Sequence, residues 1–265
     1  TAIGQPWRNY YDNVLLPQGN YAGRICHDPA GVLLWNFYTQ DLQDRTANNI
    51  LPPPKRLSRC ENGQLRATTF SAVVDRVEGK LDTPCVAGWK EKHAPQRCQT
   101  DDGRLELVSE AGFQAYIFQN QQVNCFRMRA KFCMNGTGKC GLLSRVDPDS
   151  HDGYYISLDL LKGIAQFRCW GTGPLGSGEE MMQFTTKQAG YWYADTRTAV
   201  DIQLVAFGSY HELSINGSIV LSLVDATYQT GLLGIYVETA DLDVTDLQID
   251  TLEPPTQSDA HLTTG

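Results

Sequence analysis

From about residue 103 onward the chain is written in short runs, many of which alternate apolar and polar positions. GRLELVS, CFRMRAKFCM, CGLLSRV, GYYISLDL, IAQFRCW, AVDIQLVAF, YHELSING, SIVLSLVD, GLLGIYVE and LDVTDLQI follow one another with turn residues between them. A period of two sends successive side chains to opposite faces, so these runs predict strands with one buried face. Almost none of this region keeps a helical period. Many strands with short connections predict an all-β protein, a two-sheet sandwich or barrel. Residues 1–100 read differently. VLLWNFY at 32–38 is one of few apolar runs, and NNILPPPKRL at 48–57 is polar and proline-rich. That composition predicts long irregular loops packed on or extending from the core. The expected division is an irregular N-terminal segment over 1–100, a sandwich over 101–250 and a tail over 251–265.

The same alternation separates core from surface. In CFRMRAKFC, Phe126, Met128, Ala130 and Phe132 share the side expected to be buried, while Arg127, Arg129 and Lys131 lie opposite with Cys125 and Cys133. Tyr154, Ile156 and Leu158 are expected inward, with Tyr155, Ser157 and Asp159 outward. Ala165, Phe167 and Cys169 oppose Gln166, Arg168 and Trp170 in the same way.

Composition narrows the setting. The 265 residues suffice for one large all-β domain with a sizeable core. A formal charge of -8 argues against a nucleic-acid partner, since phosphate binding draws its affinity from clustered Lys and Arg. No apolar run approaches the roughly 20 residues of a membrane-spanning helix. The sequence begins at Thr1 with no Met and no signal-like apolar region, as expected of a processed, secreted polypeptide. Its eight cysteines, Cys26, Cys60, Cys85, Cys98, Cys125, Cys133, Cys140 and Cys169, show no CxxC spacing. Oxidised pairs that pin the N-terminal loops are therefore expected in preference to zinc or haem ligation. Cys133 and Cys140 bracket MNGTGK, and a hairpin closed by that turn would bring them within bridging distance. Cys85 with Cys98 would close a longer loop, leaving Cys26 with Cys60 and Cys125 with Cys169. Two sequons, Asn135-Gly136-Thr137 and Asn216-Gly217-Ser218, read either as glycosylation acceptors, making the chain a glycoprotein, or as Asn-Gly hairpin turns.

The segment from Asp102 to Ile249 resembles the concanavalin A-like lectin/glucanase superfamily, specifically the laminin G-like jelly rolls that include the 3-keto-disaccharide hydrolase domains. DDGRLELVSE, the meander FRMRAKF, GLLSRV and GYYISLDL, the hairpin ELSINGSIVLSLVDATYQTG and the closing LLGIYVETADLDVTDLQI carry the likeness. The resemblance implies a two-sheet antiparallel jelly-roll sandwich whose meander strands are sheet neighbours. One outer face would then gather Arg127, Arg129, Tyr155, Asp159, Arg168 and Trp170. Aromatic rings beside Arg and Asp suit a sugar, whose C–H face packs on a ring while its hydroxyls take charged hydrogen bonds. Arg129 in particular would favour acidic polysaccharides. If the N-terminal segment covers this face instead, Tyr155 and Trp170 belong to the core.

SRVDPDSHDGYYISLD at 144–159 has three readings. Asp147, Asp149 and Asp152 before Gly153 resemble a calcium loop, although no bidentate acid follows where Ser157 and Leu158 stand. They also suit a polar turn between strands, or the paired carboxylates of a glycosidase. Other catalytic candidates are Glu179 with Glu180 and Glu212 with Glu238. No endoglucanase E-x-D-x-x-E strand or G-x-S-x-G elbow is present, and His27, His93, His151, His211 and His261 lack metal spacing. Three functions follow: a secreted, extracellular lectin-like carbohydrate-binding protein, a glycoside hydrolase of the same fold, or a structural subunit forming a homo-oligomer or extracellular assembly through residues 1–100.

Overall fold

A computed structural model describes residues 4, 6, 10, 13–39, 49–82, 85–86, 97–101, 103–171, 183–194 and 199–255. An N-terminal sheet is built from β1 (Asn20–Asp28), β2 (Gly31–Thr39), β3 (Asn49–Ile50), β4 (Lys55–Arg59) and β5 (Leu65–Thr68). Its order is β1-β2-β4-β5, with β3 beside β2. One helical turn, α1 (Ser71–Val74), leads to β6 (Val77–Leu81), β7 (Cys85–Val86), β8 (Arg97–Asp101) and the long β9 (Arg104–Val123). Then follow β10 (Phe126–Asn135), β11 (Lys139–Val146), β12 (Gly153–Asp159), β13 (Ile164–Gly171), β14 (Gln183–Tyr191), β15 (Val200–Phe207), β16 (Tyr210–Ile215), β17 (Ser218–Val224) and the long β18 (Gly231–Leu252). No helix among the described residues is long and apolar enough to cross a membrane.

Over its described residues the N-terminal segment is therefore largely built of strands rather than irregular loops. Leu34, Asn36 and Tyr38, alternate positions of VLLWNFY, are buried, and Tyr38 enters the main core. Most strands here are too short for their periodicity to stand out among the intervening Asn and Pro.

The strands from β6 onward form one continuous hydrogen-bonded sheet folded into two layers. β9 and β18 make the fold, because each runs through both layers. The first half of β18, residues 231–238, pairs with β11 and with residues 113–123 of β9, and this layer continues through β12 and β13 to β14. Residues 241–251 of β18 pair with β10, and residues 105–109 of β9 pair alongside. This second layer continues through β15 and β16 to β17. The ribbon bends at Gly112, Gly136, Gly138 and Thr239, all with positive φ. The Gly112 amide donates to Thr239 Oγ1 at 3.0 Å, and a Cβ on Gly138 would lie 2.3 Å from the Thr239 carbonyl oxygen. Only glycine allows that approach.

Between the layers lies the core. Phe126, Met128, Ala130, Phe132, Tyr154, Ile156, Leu158, Ala165, Phe167 and Cys169 all belong to it, as the alternation predicts. Each large apolar side chain buried there contributes about 1.5–3 kcal/mol relative to exposure. The Asn216-Gly217 turn joins β16 to β17 with φ values of 48° and 75°, the pair of left-handed residues a type I′ hairpin requires. At the open edge, Gln188 of β14 holds the Ser222 peptide of β17 from both sides, donating to its carbonyl at 2.9 Å and accepting from its amide at 2.7 Å.

The expected Cys133–Cys140 bridge is corrected by this topology. MNGTGK does not close a hairpin. β10 and β11 run in the same direction along one edge of β18, one in each layer, and the glycine turn carries the chain across the bend. Cys133 sits opposite Asp243 and Cys140 opposite Val237, six positions apart on β18. At about 3.3 Å per residue this greatly exceeds disulfide reach. Cys140 also points into the core whereas Cys133 points outward. Cys26, Cys60, Cys125, Cys133, Cys140 and Cys169 are free thiols; the side chains of Cys85 and Cys98 lie outside the described residues.

Candidate ligand-binding faces

The six residues expected on one face are divided between opposite outer faces. Tyr155, Asp159, Arg168 and Trp170 belong to the first layer, Arg127 and Arg129 to the second. Tyr155 and Trp170 do not form an open platform. Tyr155 is 1% exposed and Trp170 9%, in an apolar cluster with Ala115, Ile117, Leu143, Val146 and Tyr236. Their ring centroids lie 4.3 Å apart, and Phe113 approaches Trp170 at 5.5 Å. Arg168 bonds Gln166 and lies 5.1 Å from the Phe184 ring. Asp159 accepts from the Lys162 amide at 2.9 Å and so closes the β12–β13 turn.

The second layer's outer face is polar. Arg127 donates twice to Asp250 Oδ2, at 2.6 and 2.9 Å, and Arg129 reaches Gln248 Oε1 at 2.8 Å and Asp250 Oδ2 at 3.4 Å. Burial pushes the Asp250 carboxyl up, but Arg127, Gln248 and Arg129 outweigh it and hold the group below the usual carboxylate value. Beside these residues runs a groove of about 490 Å³, lined by Arg129, Lys131, Asp201, Gln203, Asp246 and Gln248, with Thr68 and Thr69 of the N-terminal segment on one bank. Lys131 pairs with Asp246 at 2.7 Å, and this partner raises its pKa. Gln203 Nε2 donates to Thr69 Oγ1 at 2.8 Å, and that hydroxyl donates to Glu212 Oε1 at 2.6 Å.

The N-terminal sheet covers the rest of this face over a buried polar network. Tyr210 donates to Glu212 Oε2 at 2.6 Å, Lys55 Nζ donates to Asn36 Oδ1 at 3.0 Å, and Asn20 Nδ2 donates to the Ser222 carbonyl at 2.7 Å. Burial pushes Glu212 up against the opposing pull of Thr69, Tyr210 and Lys55. It likewise draws Lys55 down to about 8 against the attraction of Glu212. Glu212 and Glu238 do not face one another. Glu212 is buried in the second layer, whereas Glu238 is exposed in the first, between Phe113 and Lys139. Glu179 and Glu180 lie outside the described residues.

VDPDSHDG joins β11 to β12. Asp147 Oδ1 accepts from the amides of Asp149 at 2.9 Å and Ser150 at 2.8 Å, and these bonds lower its pKa. The Asp147 amide donates to the Asp152 carbonyl at 2.8 Å. No cluster of three or more metal-ligating side chains occurs among the described residues.

Sequence reading missed Asp201, Gln203, Asp246 and Gln248 as site residues. The outward alternation in AVDIQLVAF gives Asp201 and Gln203 directly. Asp246 and Gln248 are hidden because β18 bulges between the partners of Arg129 and Lys131, which breaks the period.

Fold and site define an all-β sandwich with a grooved polar face. No family model matches the chain, and no curated protein matches it. Among solved structures it is similar to fructan 1-exohydrolase IIa from Cichorium intybus, with 12% identity, 90% of this chain and 49% of that chain covered and a TM-score of 0.56. It is also similar to exo-inulinase from Aspergillus awamori, with 10% identity, 91% and 44% coverage and a TM-score of 0.52. The carbohydrate binding module CBM66 from Bacillus subtilis matches at 14% identity, 66% and 97% coverage and a TM-score of 0.47. The chain spans less than half the length of either enzyme. The likeness to the two enzymes supports the sandwich fold.

Proposed function

We propose that this protein is a lectin-like carbohydrate-binding protein that holds an uncharged glycan in the groove on the outer face of the second layer. The observation that carries the reading is the composition of that groove. Amides, hydroxyls, two cations and two carboxylates line it, and the charges of Arg129 and Lys131 balance those of Asp201 and Asp246. A sugar presents both donors and acceptors at each hydroxyl, which such a mixed lining can satisfy. An acidic polysaccharide would find Arg129 already engaged by Gln248 and Asp250. Two similarly folded proteins are named as a fructan exohydrolase and an exo-inulinase, which supports a carbohydrate ligand and makes fructans the first to try. An extracellular setting belongs to the same reading, supported by the sequon at Asn135, which is exposed and lies away from the groove.

The test is a polysaccharide pull-down and glycan array on wild type, Arg129→Ala and Gln203→Ala, beside an assay for released reducing sugar. Binding weakened about tenfold in both variants, without turnover, is expected. Binding unaffected by either substitution would refute the groove, and sugar release would establish the hydrolase.

One observation favours assembly as a second reading. β1 is an edge strand that pairs only with β2 among the described residues, Ile25 on it is 63% exposed, and Tyr21 and Phe37 pack side by side at 6.0 Å on the same hairpin. Unpaired apolar edges recruit further strands. Sedimentation that stays monomeric at high concentration would remove this reading.

A further inference from the structure

We infer that the glycan site is a track for an extended polysaccharide, continuing from the polar groove across the Asn216-Gly217 turn into a second, aromatic groove at the open edge of the sandwich. The inference rests on the carbohydrate-binding reading and specifies its ligand as a chain of several sugar units. The second groove, of about 360 Å³, lies where the end of β14, the start of β17, β5 and the segment before β1 converge. Val14, Leu16, Ile219 and Val220 give it an apolar lining, and Tyr191, Arg66 and Gln18 supply a ring, a cation and an amide. Tyr191 is 54% exposed and Tyr193 71%, because Trp192 between them turns inward to the core and the alternation sends its neighbours out. A half-exposed ring bordered by aliphatic side chains and a few polar groups is what the C–H face of a sugar stacks on.

The two grooves share a border. Thr68 and Gly217 line the first, Arg66 and Ser218 the second. Arg66 and Thr68 are alternate residues of β5, so they face the same side about 7 Å apart, while Ala67 between them is buried. Gly217 and Ser218 are consecutive, with Cα atoms about 3.8 Å apart. A ligand leaving one groove at this ridge enters the other without crossing the body of a layer. The division of labour follows from the linings: the first groove sets hydroxyl specificity, and the second adds contact area with each further sugar.

The experiment measures affinity against chain length. Fructo-oligosaccharides from disaccharide to octasaccharide, with cello- and malto-oligosaccharide series beside them, are titrated into wild type, Tyr191→Ala and Arg129→Ala. Wild type should gain about tenfold or more in affinity over one series as the chain becomes long enough to span both grooves, and Tyr191→Ala should lose most of that gain. Arg129→Ala should weaken every length. Thermal melts confirm that each variant is folded, as expected for exposed side chains. A wild-type length dependence retained by Tyr191→Ala would overturn the extended track while leaving the first groove standing. Affinity independent of length in wild type would do the same. No binding to any series, at any length, would overturn the track and the carbohydrate reading together.

Discussion

The two outer faces of the sandwich are made from strands with the same alternating pattern, yet one is sealed by its own side chains and the other, partly covered by the N-terminal sheet, keeps a polar groove. On the first layer the outward positions carry Tyr155, Trp170, Leu143 and Tyr236, which bury one another with Phe113 from β9 packed against them. On the second layer they carry Arg127, Arg129 and Lys131, which pair with residues of β18, and Gln203, which donates to Thr69 of the N-terminal segment, and together they leave a groove. Outward is a statement about strand geometry and does not imply contact with water. Whether an outward residue is free for a ligand depends on what the adjacent strands carry at the same height.

Truncation gives the largest contrast. Tyr155→Ala should cost about 3–5 kcal/mol of stability, the usual range for removing a buried aromatic side chain, and leave the glycan affinity of the folded fraction unchanged. Arg129→Ala should cost less than about 1 kcal/mol, because its side chain is 40% exposed and its ion pair is screened, while glycan affinity drops about tenfold. Urea denaturation and glycan titration of both proteins measure the two quantities. A reversed result would exchange the roles of the faces.

Asp250→Ala sharpens the comparison within the open face. The carboxylate is 1% exposed and accepts from both Arg127 and Arg129, so its removal strands the Arg127 guanidinium against the sheet and leaves Arg129 with Gln248. A loss of about 2–3 kcal/mol is expected from charged hydrogen bonds left unmade. Raised salt should recover little of it, since the Arg127–Asp250 pair lies out of bulk solvent. Full recovery in high salt would show that this face is as solvated as its polarity suggests.

These contrasts also mark what the sequence makes legible. Strand periodicity identifies the inward residues of β10, β12 and β13 correctly because both layers press on a single core and the pattern is local. The Asn216-Gly217 hairpin is equally local. The turn at Gly136 looks the same in sequence, yet it carries the chain between layers, because the choice is made by β18, which pairs with both flanking strands from a hundred residues away. Glu212 reads as a catalytic candidate paired with Glu238, and is instead buried because the N-terminal sheet lies over it. Of the candidate site, Arg129 was visible; the partners that form the groove with it come from β15 and from the bulged part of β18.

Acidification asks whether the two layers fail together. His211 projects from β16 of the second layer to within 4.7 Å of Tyr154 and 5.0 Å of Phe167 in the first. Burial and the adjacent Arg145 lower its pKa from 6.5 to about 3. Below pH 6.5 the unfolded chain binds a proton that the folded one does not, so the stability present above that value is lost as pH falls toward 3. Carboxylates with lowered values add their own loss only below about pH 4. His211 alone should therefore remove about 2 kcal/mol between about pH 6.5 and 5, opposed by Glu212, whose raised pKa favours the folded state as pH falls, and His211→Gln should remove the His211 contribution. Tryptophan fluorescence, to which the buried Trp170 and Trp192 both contribute, and glycan binding, which reports on the groove, should be lost at the same pH. Loss of binding well before the fluorescence change would mean that the layers open independently.

The smallest effect is expected at the acidic loop of the first layer. Asp147, Asp149 and Asp152 stand in a connection with the hydrogen bonds of a turn: the Asp147 carboxylate caps two amides of its own loop, the Asp147 and Asp152 backbones pair across its base, and His151 takes a left-handed φ of 64°. A cation bound here would stabilise the folded state by mass action, and removing it would lower the melting temperature. Chelation should leave the melting temperature and the glycan affinity unchanged, and added calcium should restore nothing because nothing is lost. A fall of several degrees on chelation, reversed by calcium and absent in Asp149→Ala, would instead show that the loop holds calcium. The first layer would then depend on an ion as well as on its aromatic seal, and the contrast between a self-sufficient face and a ligand-binding one would no longer hold.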